Sequence, residues 1–144
     1  MAIRAVLRNL VLCLVISVGA TAIVSRPASA GISGPVAAVA NQGLDRCASY
    51  TGKQLRDCVA DVLDQMAGSV PFPSVARSLR TAAAGVRAAV NKAQALSAIA
   101  VCQAMVASSL KLARTSDKDQ GILDGWDRLA RVLVRAAGLI QAKG

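Results

Sequence analysis

Apolar positions along this chain recur at helical rather than strand spacing. Leu55, Val59, Val62 and Met66 stand four, three and four residues apart, which makes one stripe on a helix. Asp57, Asp61 and Asp64 fall on the opposite side. Thr51-Gly52-Lys53-Gln54 matches a capping box ahead of that stripe: Thr51 would accept from the N–H of residue 54 and the Gln54 side chain would reach back. A helix is therefore expected over about 53–67, with Gly68 as its C-cap. Pro71-Phe72-Pro73 forbids its continuation.

A long segment follows, Ser74 to Arg114, with no proline and no acidic residue. Ser74 is expected to cap it. In its first half Val75, Leu79, Ala82, Val86, Ala89, Ala93 and Leu96 keep a 4-3-4-3 spacing, with Arg77, Arg80 and Arg87 roughly opposite. In its second half the stripe moves to Ile99, Cys102, Val106, Leu110 and Ala113, rotated by about 120° at 100° per residue. Such a shift needs either a break within 91–97 or two halves that pack on different neighbours. With no proline present, an unbroken helix over about 74–114 with two neighbours is the favoured reading.

Ser116 is expected to cap a last helix over about 117–142, with Asp117 and Asp119 in its first turn, where the helix dipole favours negative charge. Ile122, Trp126, Leu129, Leu133, Ala136 and Ile140 repeat at 4-3-4-3-4, a packing seam. Trp126 is thus read as core rather than as a binding anchor. Asp124 with Arg128 and Asp127 with Arg131 are acid-first i,i+4 pairs. The fold class is all-α: a small helical bundle with one long central helix, packed by the preceding helix and the C-terminal one. Residues 51–144 make a single helical domain. Residues 31–50 read as a flexible lead-in, with a short helix over Val36–Gln42 and a turn or two after Leu44.

The first thirty residues differ from all of this. Arg4 and Arg8 precede an uncharged apolar run from Leu10 to Val24, and Ala28-Ser29-Ala30 sets small residues at −3 and −1 of a cleavage point before Gly31. Residues 1–30 therefore read as a secretory signal peptide, with an uncleaved anchor as the alternative. Cys13 follows Leu12, where a lipobox needs a small residue. Export places the protein in the periplasm or outside the cell. Loss of Arg4, Arg8 and Arg26 lowers the net charge from +9 to +6.

Composition narrows the chemistry. The chain has no His, and all eight of its acids are Asp. The commonest general acid/base and metal ligand is missing, so no catalytic residue, cofactor or metal site is expected. Asp57, Asp61 and Asp64 lie on a rigid helix face, which does not supply the six to eight oxygens that Ca²⁺ takes. Three cysteines remain after cleavage. Cys47 and Cys58 flank Thr51-Gly52 symmetrically, so a chain reversal there would bring the sulfurs together. This pairing is favoured over Cys58–Cys102, and Cys102 is read as the unpaired thiol in an apolar stripe. Dispersed thiols without a CxxC pair suit neither zinc nor thiol–disulfide catalysis.

Arg77, Arg80 and Arg87 are the candidate anion- or partner-binding group, set against a plainer reading in which they pair with the upstream aspartates. Uncharged Ala93–Leu110 is read as a core helix rather than a membrane span, because Gln94, Ser97, Gln103, Ser108 and Ser109 interrupt it. The expected function is that of an exported non-enzymatic protein acting through protein–protein contacts. Self-association is a corollary, since the stripe that changes face offers more apolar surface than one short neighbour covers. The alternative is binding to an anionic membrane surface or cell-envelope polymer. Nucleic acid is not an expected partner, with three aromatic residues and an export signal; no small-molecule substrate is evident. An intact-mass measurement on the native protein, made without reductant, checks the processing. The expected mass is that of a chain beginning at Gly31; a mass that includes residues 1–30 would mean a retained anchor.

Overall fold

The structure, a computed structural model, describes residues 34–116 and 119–144. The expected signal peptide, residues 1–30, and Asp117 lie outside the described residues. Among the described residues there are five helices and no strand: α1 Gly34–Cys47, α2 Gly52–Ser69, α3 Pro73–Ala88, α4 Lys92–Thr115 and α5 Gln120–Lys143. Each packs on the next, and α5 returns to touch α1 and α2, so the helices close into a ring around one apolar core.

The all-α expectation holds, and so do the stripes that carried it. Leu55, Val59, Val62 and Met66 of α2 are buried, as are Trp126, Leu129, Leu133, Ala136 and Ile140 of α5. Phe72, in the α2–α3 connection, stacks on Trp126 with ring centroids 5.2 Å apart.

The single long central helix is corrected. Residues 74–114 form two helices that fold back on each other, α3 and α4, with the chain reversing at Ala89–Asn91. The stripe Val75, Leu79, Ala82, Val86, Ala89 is buried up to this point, whereas Ala93 beyond it is exposed. The cause is local. Asn91 Oδ1 accepts from Gln94 N–H at 2.9 Å, and the Gln94 side-chain oxygen accepts from Val90 N–H at 3.0 Å. This reciprocal pair satisfies donors that a fresh helix start would otherwise leave open. The two halves do face different neighbours, α3 against α2 and α4 against α5, but they also pack on each other.

Other boundaries also move. Residues 34–47, expected as a lead-in with a short helix, form a fourteen-residue helix whose Ala37, Ala40, Leu44 and Cys47 are buried. Thr51 is the N-cap of α2, but its side chain makes no cap hydrogen bond. Gly52 adopts φ +54°, a left-handed conformation that glycine takes without steric cost, and carries the turn into the helix. Gly68 stays within α2, and Val70 is the C-cap. Phe72, not Ser74, caps α3, because Pro73 is pre-set for the first helical position. Asp119, not Ser116, caps α5, its Oδ1 accepting from Gly121 N–H at 3.0 Å. Ser116 instead closes α4, donating its hydroxyl to the Leu112 carbonyl at 2.7 Å.

Two glycines mark where helices meet most closely. A Cβ on Gly85 would lie 2.7 Å from the Ala98 Cβ across the α3–α4 hairpin, and one on Gly43 would lie 2.6 Å from Val62 Cγ2. A Cβ on Gly138, inside α5, would meet nothing within 4 Å. Gly85→Val is expected to lower stability by about 1–3 kcal/mol through overpacking. Gly138→Ala is expected to raise it by about 0.5–1 kcal/mol. Urea unfolding of both variants beside the parent checks the pair; equal midpoints would contradict the close approach at Gly85.

Candidate functional site

Cys47 closes α1 and Cys58 lies in the second turn of α2, so the reversal through Tyr50–Gly52 brings them together. They form a disulfide, with Cα atoms 5.6 Å apart. Cys102, on α4, is a buried free thiol. Burial pushes its pKa up, while a hydrogen bond with the Ser78 side chain pulls it the other way. A buried thiol of this kind packs as a small hydrophobe rather than serving as a nucleophile.

The three arginines do not act as one group. Arg87 reaches across to α2 and donates from Nη2 to Asp61 at 2.7 Å and to Asp64 at 2.9 Å. Those hydrogen bonds, Asp61 first, raise its pKa above the ordinary value. All three side chains are solvent-exposed, so the cluster contributes about 0–1 kcal/mol. The pairing with upstream aspartates thus accounts for Arg87. Arg77 and Arg80 are exposed on α3 and make no ion pair among the described residues. Asp57 is taken by Lys53 at 2.6 Å. Of the expected i,i+4 pairs on α5 neither forms; Asp127 accepts instead from Arg114 of α4 at 3.3 Å. Among the described residues no group of three or more Cys or Asp could hold a metal ion.

Two features remain that side-chain pairing does not explain. The first is an open apolar cavity of about 250 Å³ between the start of α1 and the end of α2, lined by Pro35, Val36, Val39, Ala40, Gln65, Met66 and Ser69. It contains no ionisable group.

The second is the outer face of α4. This helix is long and apolar enough to cross a membrane, by length and composition alone. Yet it occupies a corner of the ring, packed on α3 and α5. Ala95, Ile99, Cys102, Val106 and Ala113 are buried on one side. The other side presents Gln94, Ser97, Ala100, Val101, Ala104, Ser108 and Leu112, with no Asp, Lys or Arg from Ala93 to Leu110. Val101 is 66% exposed, Leu112 67%, and Val90, in the turn before the helix, 78%. The expectation of a core helix for this stretch is therefore half of the picture: it has a core side and an uncovered apolar side. The sequence signal was the absence of charge itself, which reads equally as core.

Comparison of the chain with protein-family models, curated proteins and solved structures yields no match.

The thiol and the disulfide make separable predictions. Cys102 should resist alkylation in the folded protein and react fully in denaturant. Because its folded pKa is raised, its stabilising contribution is complete at neutral pH. That contribution is lost as pH climbs above the ordinary thiol value of about 8.5, where only the unfolded chain ionises readily. Replacing both Cys47 and Cys58 by Ala should cost about 3 kcal/mol in denaturant unfolding, the chain-entropy value for a short loop. Fast native-state labelling of Cys102 would contradict its burial.

Proposed function

We propose that the protein is exported into an oxidising compartment and acts there as a non-enzymatic helical protein, through protein–protein contacts made by the outer face of α4. The Met1–Ala30 pattern supports export, and the Cys47–Cys58 disulfide is consistent with an oxidising compartment. A chain with no His and no Glu supports the non-enzymatic reading. One observation carries the contact reading: an 18-residue uncharged stretch, Ala93–Leu110, leaves a helix face in solvent with Val101 on it and exposed Val90 and Leu112 just beyond its two ends. A solvent face ordinarily carries charge, as on α2, α3 and α5; a long face without it marks a contact surface.

A second reading has its own support. The mature chain is net +6, and Arg77 and Arg80 stand exposed on the neighbouring helix, which suits an anionic membrane surface or envelope polymer.

A photo-crosslinking residue separates the two. Placed at position 101 it should give protein adducts in the native compartment; placed at exposed Ala84 on α3 it should not. Adducts with lipid alone, together with flotation on phosphatidylglycerol-containing vesicles that weakens as salt rises, would replace the first reading by the second.

A further inference from the structure

We infer that the outer face of α4 is covered by a second copy of the same chain, packed antiparallel about a two-fold axis through Val101. The inference rests on the reading of α4 as the contact surface, and it names the occupant.

The spacing of the exposed residues carries it. Val90, Val101 and Leu112 are eleven residues apart, and eleven residues are almost three whole turns, so Val101 and Leu112 lie within about 20° of one line along the helix. Gln94 lies on that same line, and its side chain accepts from Val90 N–H, which ties the turn to the line. Reversing the helix about Val101 sets Val101 against itself, Val90 against Leu112 of the other copy, and Gln94 against Ser108. In these pairs apolar meets apolar and polar meets polar; Ser97, to one side of the line, meets Met105. A two-fold interface requires this self-complementarity, because one patch must serve as both surfaces.

Charge agrees. The reversal brings Lys92 near Lys111 of the other copy, which would repel if both pointed into the seam. Lys92 does not: its ammonium donates to the Gln141 carbonyl of α5 at 2.9 Å, away from the outer face. Lys111 lies on the flank, about 80–100° from the line. From Gln94 to Leu112 the line runs about 27 Å at 1.5 Å per residue. A strip of that length and about 10 Å wide covers about a third of the 800 Å² that a standard interface draws from each partner, so flanking surface of α3 and α5 would have to join it. A lipid surface fits less well. Interfacial helices bury Trp, Phe and Leu, whereas this face is mainly alanine, serine and valine, side chains that let two helices approach closely.

The experiment uses the mature chain with its Cys47–Cys58 disulfide intact. Sedimentation should give twice the monomer mass, and Val101→Asp should halve it while the helical circular dichroism stays unchanged. In a Cys102→Ala background, Val101→Cys should link to itself on mild oxidation. Val90→Cys and Leu112→Cys should each fail to self-link, yet join when the two proteins are mixed. If the background substitution does not fold, the Val101→Asp comparison decides alone. A monomer up to upper micromolar concentration overturns the proposal, and so does a dimer that Val101→Asp leaves intact or a Val101→Cys protein that links no faster than the Val90→Cys protein. A monomer that floats with phosphatidylglycerol-containing vesicles would overturn the protein-contact reading as well. A monomer whose position 101 crosslinks to a different protein would leave that reading standing and remove only the second copy.

Discussion

Close helix-to-helix approach is the constraint on which this fold depends. Much of its apolar surface is alanine, which buries little area, so dispersion contact must come from bringing backbones near one another. Gly85 against Ala98 and Gly43 against Val62 are the places where this is carried furthest. The same constraint explains why the chain reverses at Ala89–Asn91. A straight helix over 74–114 would be about 60 Å long at 1.5 Å per residue. The eighteen-residue α2 would cover less than half of it. Folding the segment into a hairpin lets each half use the other as cover, and the Asn91–Gln94 hydrogen bonds fix where the fold occurs.

Ring closure depends on contacts of another kind. At the C-terminal end of α1, Cys47 is bonded to α2, while α5 supplies cations. Arg135 pairs with Asp45 and donates to the Asn41 side chain at 3.1 Å, and Lys143 donates to the Ala48 carbonyl at 2.7 Å. Cations at a helix C-terminus also answer its dipole. These groups are exposed, so each contributes little alone. Their effect is positional. The disulfide holds α1 on α2, the cations hold it on α5, and Leu44 and Cys47 are thereby kept in the core.

The parts of this fold that could be read from the chain were those with large side chains at regular spacing. Val59 and Met66 on α2, or Leu129 and Leu133 on α5, leave little ambiguity about which side faces inward. α1 is longer and more buried than the short helix expected there, because its stripe is Ala37, Ala40 and Leu44 and alanine occurs as readily outside a core as inside. The hairpin was missed although its signal was present: Asn91-Lys92-Ala93-Gln94 has the spacing of a capping box, but Asn91 also reads as a mere weak spot in a helix without proline. The pairing of Arg87 with Asp61 and Asp64 was legible as one of two readings of the basic stripe. That of Asp127 with Arg114 was not, because local i,i+4 partners are visible in a sequence and tertiary ones are not. The disulfide was legible for the opposite reason, since the geometry that makes it is local.

The distribution of charge says most about function. α1, α2, α3 and α5 carry their Asp, Lys and Arg on outward sides, as solvated helices do. α4 has charged residues only near its ends, Lys92, Lys111 and Arg114, and two of these are engaged by Gln141 and Asp127 of α5. A twenty-four-residue helix with an exposed outer side needs polar cover, yet from Ala93 to Leu110 it has no charge. Core packing cannot account for this, because the core side of α4 is already filled by Ile99, Cys102 and Val106. Helix propensity does not account for it either, since Lys, Arg and Gln form helices nearly as well as leucine. What remains is the contact role proposed above for this face. The arginines that first draw the eye in this sequence are, by comparison, a solvated margin around that surface.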